Sequence, residues 1–264
     1  MIKFFRKIRQ QLMAEKKIGK YLLYAIGEIV LVVIGILIAV AINNNNQIKK
    51  MKVEEQQYLI ALKEEFEFNK ERLATMIVRD SMNIEATKRL LAYTSPKPPI
   101  ISETEFHGMI NKVVMNETQF SPSPGVLAEI INAGKLGTFS DPELKKALGA
   151  WEAQLVRVKF QEQEEVHRAR MTLINFLNTN SNVRRAFYTN LGKKLVIGDS
   201  KFKGQNQSIL QLEQFENFLV DYLIVSYFLN RTYYKPLAEQ IEELIQVIND
   251  NILENNNNAI LAEN

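Results

Sequence analysis

Glu28 is the residue of this 264-residue chain that stands most sharply against its surroundings. It lies inside the apolar run Tyr21–Ile42, and an ionisable group in such a run is a functional hypothesis by default. On a helix, Tyr21, Ala25, Glu28, Gly35 and Ala39 share one face. The carboxyl therefore sits above a Gly35-xxx-Ala39 pair, the small-xxx-small pattern that lets two spans approach closely. Two uses follow. The carboxyl hydrogen-bonds a neighbouring span and fixes an oligomer, or it forms part of a proton path. The second use matches accessory subunits of proton-driven membrane motors in layout only. A second pattern is Glu164-Glu165-Val166-His167, one Glu-x-x-His step of the kind that builds di-iron centres in helical bundles. Such centres take two of these steps and two further glutamates. The other histidine, His107, has Glu103 and Glu105 as neighbours but no glutamate three positions before it. The expectation is a solvated charged face and no metal.

Other polar residues are placed by helical spacing. Asn69, Asp80 and Glu162 fall at seam positions of long helices, where a polar layer sets register, lines a small-ligand site, or is simply solvated. Arg168, Arg170, Arg184 and Arg185 bracket a helix end near Asn178–Asn182. They are placed to meet an anionic ligand or lipid headgroups, or to favour the helix dipole. The aromatic run from Phe215 to Tyr234 reads as core. The chain has no cysteine, which excludes disulfides, thiolate metal sites and thiol catalysis. No phosphate-cradling glycine loop, serine elbow or catalytic carboxylate pair is present. No catalytic or cofactor-binding residue is assigned, and no cofactor is expected.

The elements that position these residues begin with a membrane span. Tyr21–Ile42 would run roughly 33 Å as a helix, enough for a hydrocarbon core of ~30 Å. Fourteen of its residues are Leu, Ile or Val, which favours insertion by roughly 4 to 8 kcal/mol against about 3 for one central charge. Residues 1–20 hold seven basic residues and one acidic residue, whereas the other flank offers Lys49, Lys50 and Lys52. That bias places the N-terminus in the cytoplasm. The rest of the chain would lie outside, in the periplasm of a double-membrane bacterium. Ala39-Val40-Ala41 has the form of a signal-peptide cleavage site. The long basic region before the run, the length of the run and Glu28 all argue against cleavage. Lys3, Arg6, Lys7 and Arg9 alternate with Ile2, Phe4, Phe5 and Ile8. They suit anionic lipid headgroups, either on a short amphipathic helix or as a plain basic flank.

MIKFFRKIRQ followed by KIGKYLLYAIGEIVLVVIGILIA closely resembles the opening of a large family of single-pass inner-membrane proteins of Bacteroidota with no known function. The resemblance covers residues 1–44 closely and residues 62–73, 129–148 and 236–248 loosely. It implies a topology and an extracytoplasmic helical domain, and no catalytic residues. Where that family usually reads ALQINNWNE, this chain reads AVAINNNNQ, so Asn45 stands in place of an interfacial tryptophan.

Beyond the span, glycine and proline are absent from 36–95, 150–191, 205–235 and everything after Pro236. These are spaces for long helices. Steps of three and four agree: Leu59, Leu62, Phe66, Asn69, Leu73, Met76, Asp80, Ile84, Thr87 and Leu91 form one stripe. Leu144 to Phe176, Leu212 to Leu229 and Leu237 to Ile252 form three more. Ser140-Asp141-Pro142-Glu143 reads as a capping box, and Ser102-Glu103-Thr104-Glu105 as a weaker copy. Gly134 reads as a C-cap, residues 192–204 as a loop, and Pro236 as the separation or kink between the last two helices. The predicted fold is all-α: one transmembrane helix, then a bundle of four long and two short helices. The division is a cytoplasmic tail 1–20, a span 21–42, a junction 43–50 with a hinge at Asn43–Asn46, a bundle 51–254 and a disordered tail 255–264.

The favoured function is a non-enzymatic, membrane-anchored scaffold or accessory protein whose partners are membrane lipids and either copies of itself or another membrane protein. The alternative is a periplasmic bundle that senses a ligand. It would signal through a partner's span, because twenty cytoplasmic residues leave no room for an output domain. The net charge of +3 does not argue for nucleic acid. It is concentrated before the span, and the remaining residues are net acidic.

Overall fold

A chain with so few helix breakers has long helices available to it, and the computed structural model takes them up. It describes residues 18–123, 125–187 and 193–263, with the side chains at 18, 20, 21, 24, 193 and beyond 255 left aside. Every regular element among the described residues is helical. Lys3, Arg6, Lys7 and Arg9 lie outside the described residues, as do the side chains of Tyr21 and Tyr24.

The first helix, α1, spans Ile18–Leu91 and 74 residues. It passes through Asn43–Asn46 unbroken, so the expected hinge is helical. Asparagine lowers helix propensity by less than about 1 kcal/mol per residue. Propagating an existing helix needs no new nucleus. The chain divides into two compact units, Met1–Gln56 and Gln57–Asn264. In the first, α1 holds an 18-residue stretch of mean hydropathy 2.9 with none of it buried, long and apolar enough to cross a membrane. Leu31 and Ile36, for example, are 63% and 57% exposed.

The second unit has its own core. Leu59, Leu62, Phe66, Asn69, Leu73, Asp80, Asn83, Thr87 and Leu90 of α1 are buried in steps of three and four, with one step of seven across the partly buried Met76. Phe66 meets Trp151 edge-on at 5.2 Å between ring centroids. The expected stripe drifts by one residue at its end: Asn83 and Leu90 are buried, while Ile84 and Leu91 are only partly so. A period of 3.6 accumulates such an offset over many turns. Helix α2, Glu103–Met115, is capped by Ser102, whose hydroxyl accepts from the Glu105 N–H. Helix α3, Gly125–Asn132, ends at Gly134. That glycine has φ +66°, and its N–H donates to Ile131. This left-handed turn is where glycine carries no steric cost.

Helix α4 spans Pro142–Phe160. Its cap is Asp141 rather than Ser140. Pro142 occupies the first turn, and the Asp141 carboxylate accepts from the Glu143 N–H at 2.8 Å. The helix continues through a π-turn, Gln161–Val166, into α5, His167–Asn180. Short helices α6, Val183–Phe187, and α7, Lys193–Leu195, and a 3₁₀ turn, Asn206–Gln211, follow.

Helix α8, Glu213–Phe228, runs through a second π-turn, Leu229–Tyr234, into α9, Lys235–Glu263. The expected separation at Pro236 is therefore absent. Proline lacks an N–H and crowds the carbonyl four residues earlier. Here the Lys235 N–H reaches back five residues, to the Asn230 carbonyl, in the wider turn just before it. Helix α9 also passes through Asn255–Asn258, where a disordered tail was expected.

Candidate functional site

The polar face of α1 is where the bundle departs from a plain apolar core. Asp80, Asn83 and Thr87 are fully buried. Thr87 returns its hydroxyl to the Asn83 carbonyl, the usual way a helical threonine satisfies itself. Asn83 donates to the Asn116 carbonyl at 2.7 Å and to the Tyr222 hydroxyl at 3.3 Å. Asn230, in the second π-turn, approaches Asp80 but spends its amide on the Ile77 carbonyl and the Ser81 hydroxyl, both at 3.3 Å. Neither Asp80 oxygen meets a donor in good geometry. Burial pushes its carboxyl up to about 7, opposed by the Asn230 amide. Tyr222 is pushed up to about 12, first by burial, with the Asp80 charge adding to it.

The first π-turn carries the second buried carboxyl. Glu162 is 3% exposed. Its Oε1 accepts two hydrogen bonds, from the Tyr234 hydroxyl at 2.5 Å and the Phe120 N–H at 2.7 Å. Burial raises the Glu162 carboxyl above the usual range, against the pull of those two donors and the field of Lys159. Tyr234 is raised far more, by burial and then by the charge of Glu162. Glu162 Oε2 finds no partner in the protein.

Glu162 is among the residues that line a cavity of about 230 Å³, with Glu117, Thr118, Gln119, Gln163, Val166, His167 and Arg170. Thr118 is 5% exposed, and its hydroxyl is a second buried polar atom without a partner. Arg170 spans the rim, with Nη1 on the Val114 carbonyl and Nη2 on Glu117 Oε1, each at 2.8 Å. His167 Nδ1 meets the same Glu117 oxygen at 3.2 Å. The loop after α2 is held by side chains along its length. Asn83 bonds the Asn116 carbonyl, Arg79 the Glu117 carbonyl, and Glu162 the Phe120 N–H. A loop whose backbone groups are met this way is a preorganised wall.

The remaining candidates separate. Asn69 is buried. It exchanges hydrogen bonds with the backbone of Ser123, while Glu65 accepts from the Val126 N–H, and together they tie the start of α3 to α1. His167 of the Glu-x-x-His step pairs with Glu117 and is half exposed. Among the described residues no group of three or more His, Asp or Glu side chains is placed to hold a metal ion. His107 is buried, with the Asn206 amide at 2.9 Å from its Nε2. Burial lowers its pKa, only partly offset by Glu103. The four arginines do not form one cluster. Arg168 pairs with Asp221 and Glu165, and Arg170 with Glu117. Arg184 bonds the Gly198 carbonyl, and Arg185 pairs with Glu103. Phe215, Tyr222 and Tyr234 are core, but Tyr227 and Phe228 are about half exposed. Glu28 is partly buried, while Gly35 and Ala39, on its face of α1, are exposed in the single chain.

No family model, curated protein or solved structure matches this chain.

Proposed function

We propose that the chain is a membrane-anchored, non-enzymatic accessory protein that oligomerises or holds a partner outside the membrane. The observation that carries this reading is the unburied apolar stretch of α1 in one unit alongside a second unit with its own packed core. A stretch of that length with no internal partner is best accommodated by lipid. The resemblance of residues 1–44 to the single-pass Bacteroidota family supports the same topology, with the basic tail cytoplasmic, resting on anionic lipid, and the bundle periplasmic. Glu28, Gly35 and Ala39 are the proposed contact face, and nucleic acid is not a partner.

The absence of native cysteine makes the test clean. In cells expressing Gln10→Cys or Lys201→Cys, a membrane-impermeant maleimide labels position 201 in intact spheroplasts and position 10 only after lysis. The reverse pattern, or release of the protein by carbonate, overturns the reading. Glu28→Gln and Glu28→Leu are expected to change the detergent-solubilised oligomer size, and an unchanged size removes the contact face.

A second reading, a ligand-sensing bundle, is favoured by one observation. Two residues that line the cavity beside the first π-turn, Glu162 and Thr118, each carry a buried polar atom that no protein group satisfies. Native buried polar groups are paired as a rule, and π-turns recur at functional sites.

A further inference from the structure

We infer that the segment from Lys194 to Lys203 is a docking surface for an anionic phospholipid bilayer. Lys194, Lys201 and Lys203 would meet the headgroups, and Leu195, Val196 and Phe202 the layer beneath them. The inference goes beyond the proposed accessory role and is independent of the side of the membrane on which the bundle lies. Exposure is the first observation. Val196 and Phe202 are 90% and 83% exposed, and Leu195 and Ile197 are exposed as well. Single apolar side chains on a surface are ordinary, whereas several gathered in one short stretch mark an interaction site. Val196 is also the one non-glycine residue with positive φ among the described residues, at 55°. A β-branched residue rarely adopts that conformation.

Charge is the second observation. Residues 183–204 hold six basic residues and one acidic residue, in a chain that is otherwise net acidic beyond the span. Of the basic side chains described there, Arg185 is the one with a carboxylate partner, Glu103. The acidic residue, Asp199, accepts from the Ser200 N–H. Arg184, Lys201, Phe202 and Lys203 line one surface cavity, so cations and an exposed ring stand together. The surface lies at the end of the bundle where α1 leaves it. Ser95, just past α1, donates its N–H to the Leu210 carbonyl, and Glu103 opens α2. That end is roughly 48 Å along α1 from Leu59, well clear of the point where α1 enters.

The third observation is that the segment is tied down. Asn182, Arg184 and Arg185, at the start of α6, bond the Ser200 hydroxyl, the Gly198 carbonyl and the Gly204 carbonyl at 2.8, 2.7 and 3.0 Å. Leu195 to Ile197 directly precede the first tie along the chain, and Phe202 lies between the last two. Little ordering is left for binding to supply. A soluble polyanion would meet the cations and leave the apolar side chains in water. A bilayer offers anionic headgroups with acyl chains just below them. Lys194-Leu195-Val196-Ile197 and Lys201-Phe202-Lys203 set both kinds of residue side by side, and a lysine stem lies along apolar surface while its ammonium stays at the headgroups.

The test uses the full chain in zwitterionic nanodiscs, floated with vesicles of phosphatidylcholine, alone or mixed with phosphatidylglycerol. Binding is expected to the mixed vesicles only, and to weaken with added salt. Lys194→Gln, Lys201→Gln and Lys203→Gln combined should weaken it about a hundredfold, at roughly fivefold per lysine, and Phe202→Ser about tenfold. The basic tail is the same in every variant, so these differences belong to the loop. Phe202→Trp adds an exposed indole to the buried Trp151, and mixed vesicles should shift the emission to the blue. If Phe202→Ser fails to fold by circular dichroism, Val196→Ser replaces it, with a similar expected loss. Unchanged binding in the folded triple variant overturns the proposal. A loss confined to the triple variant, with no blue shift and equal binding of polyglutamate, overturns the lipid class in favour of an acidic macromolecule.

Discussion

Two carboxyls are sunk in one bundle beside two π-turns, and their surroundings could hardly differ more. Asp80 faces the Leu229–Tyr234 turn, fully enclosed, with no donor in good geometry on either oxygen. Glu162 belongs to the Gln161–Val166 turn and lines a cavity, and one of its oxygens has two donors while the other is buried without a partner. The turns have different origins as well. The second precedes Pro236, and its i→i−5 bond absorbs the lack of a proline N–H. No proline or glycine lies in or near the first. Its extra residue has a side-chain consequence instead, since Gln161 and Glu162 both turn inward. One turn relieves a backbone constraint, and the other brings a polar side chain into the interior, where Tyr234 and Phe120 meet it. The contrast teaches that a buried carboxyl is a burden where neither oxygen is met and a link between elements where one oxygen is bonded twice.

The largest effect should come from the sealed carboxyl. With its pKa raised from 3.8 to about 7, folded Asp80 holds its proton over a pH range where the unfolded chain has released it. Stability contributed by this group is then greatest below pH 4 and falls as pH rises toward and through 7. The full penalty is roughly 4 kcal/mol at 1.36 kcal/mol per pH unit. Asp80→Asn should stabilise the full chain by an amount of that order at pH 8 and by almost nothing at pH 4, read from unfolding in detergent at both values. Equal effects at the two pH values would show that Asp80 is not sealed. Tyr222 and Tyr234 face Asp80 from α8 and the second turn, but both titrate well above this window.

Next come the links between the turns. Tyr234→Phe removes the hydroxyl on Glu162 Oε1 and leaves the ring in place, so the expected loss is about 2 kcal/mol. A loss below about 0.5 kcal/mol would mean the two turns are not coupled through that bond. Pro236→Ala tests the origin of the second turn. A proline in a regular helix interior costs ~3 kcal/mol relative to alanine. Because the π-turn already accommodates it, replacement should gain less than about 1 kcal/mol in denaturant unfolding. A gain near the full value would break the argument that this turn absorbs the proline.

The helices were legible because their signals are local and periodic. The stripes from Leu59 to Leu73 and from Leu144 to Phe176 name the buried faces almost residue for residue. Asp80 and Glu162 were legible as seam positions, being polar residues in apolar phase. What they meet there was not. Asn83 follows Asp80 by one helical step of three, yet the stripe favoured Ile84, because a small phase drift decides between them. Thr118 and Glu117 lie in a loop without periodicity, and Tyr234 reads as one more aromatic in a core run. Only the partners brought in from α1, α5 and the second π-turn make these residues a site. The shift from Ser140 to Asp141 as the cap has the same character: both residues cap well, and the geometry imposed by Pro142 selects one.

The smallest expected effect is the most discriminating. The Thr118 hydroxyl and the Asp80 carboxyl are both buried and both unpartnered by protein, so a count of unsatisfied atoms treats them alike. The cavity separates them. A hydroxyl sealed in apolar surroundings would cost about 1 to 3 kcal/mol, and Thr118→Val would recover it. A hydroxyl reached by water from the adjoining space of 230 Å³ would already be satisfied, so its removal would change stability by less than about 0.5 kcal/mol, the outcome expected for Thr118. Measured beside Asp80→Asn at pH 8, the near-silence of Thr118→Val would assign the two unpartnered groups to different environments. A gain above about 1 kcal/mol would show the space to be dry, and the first π-turn would then be as sealed as the second.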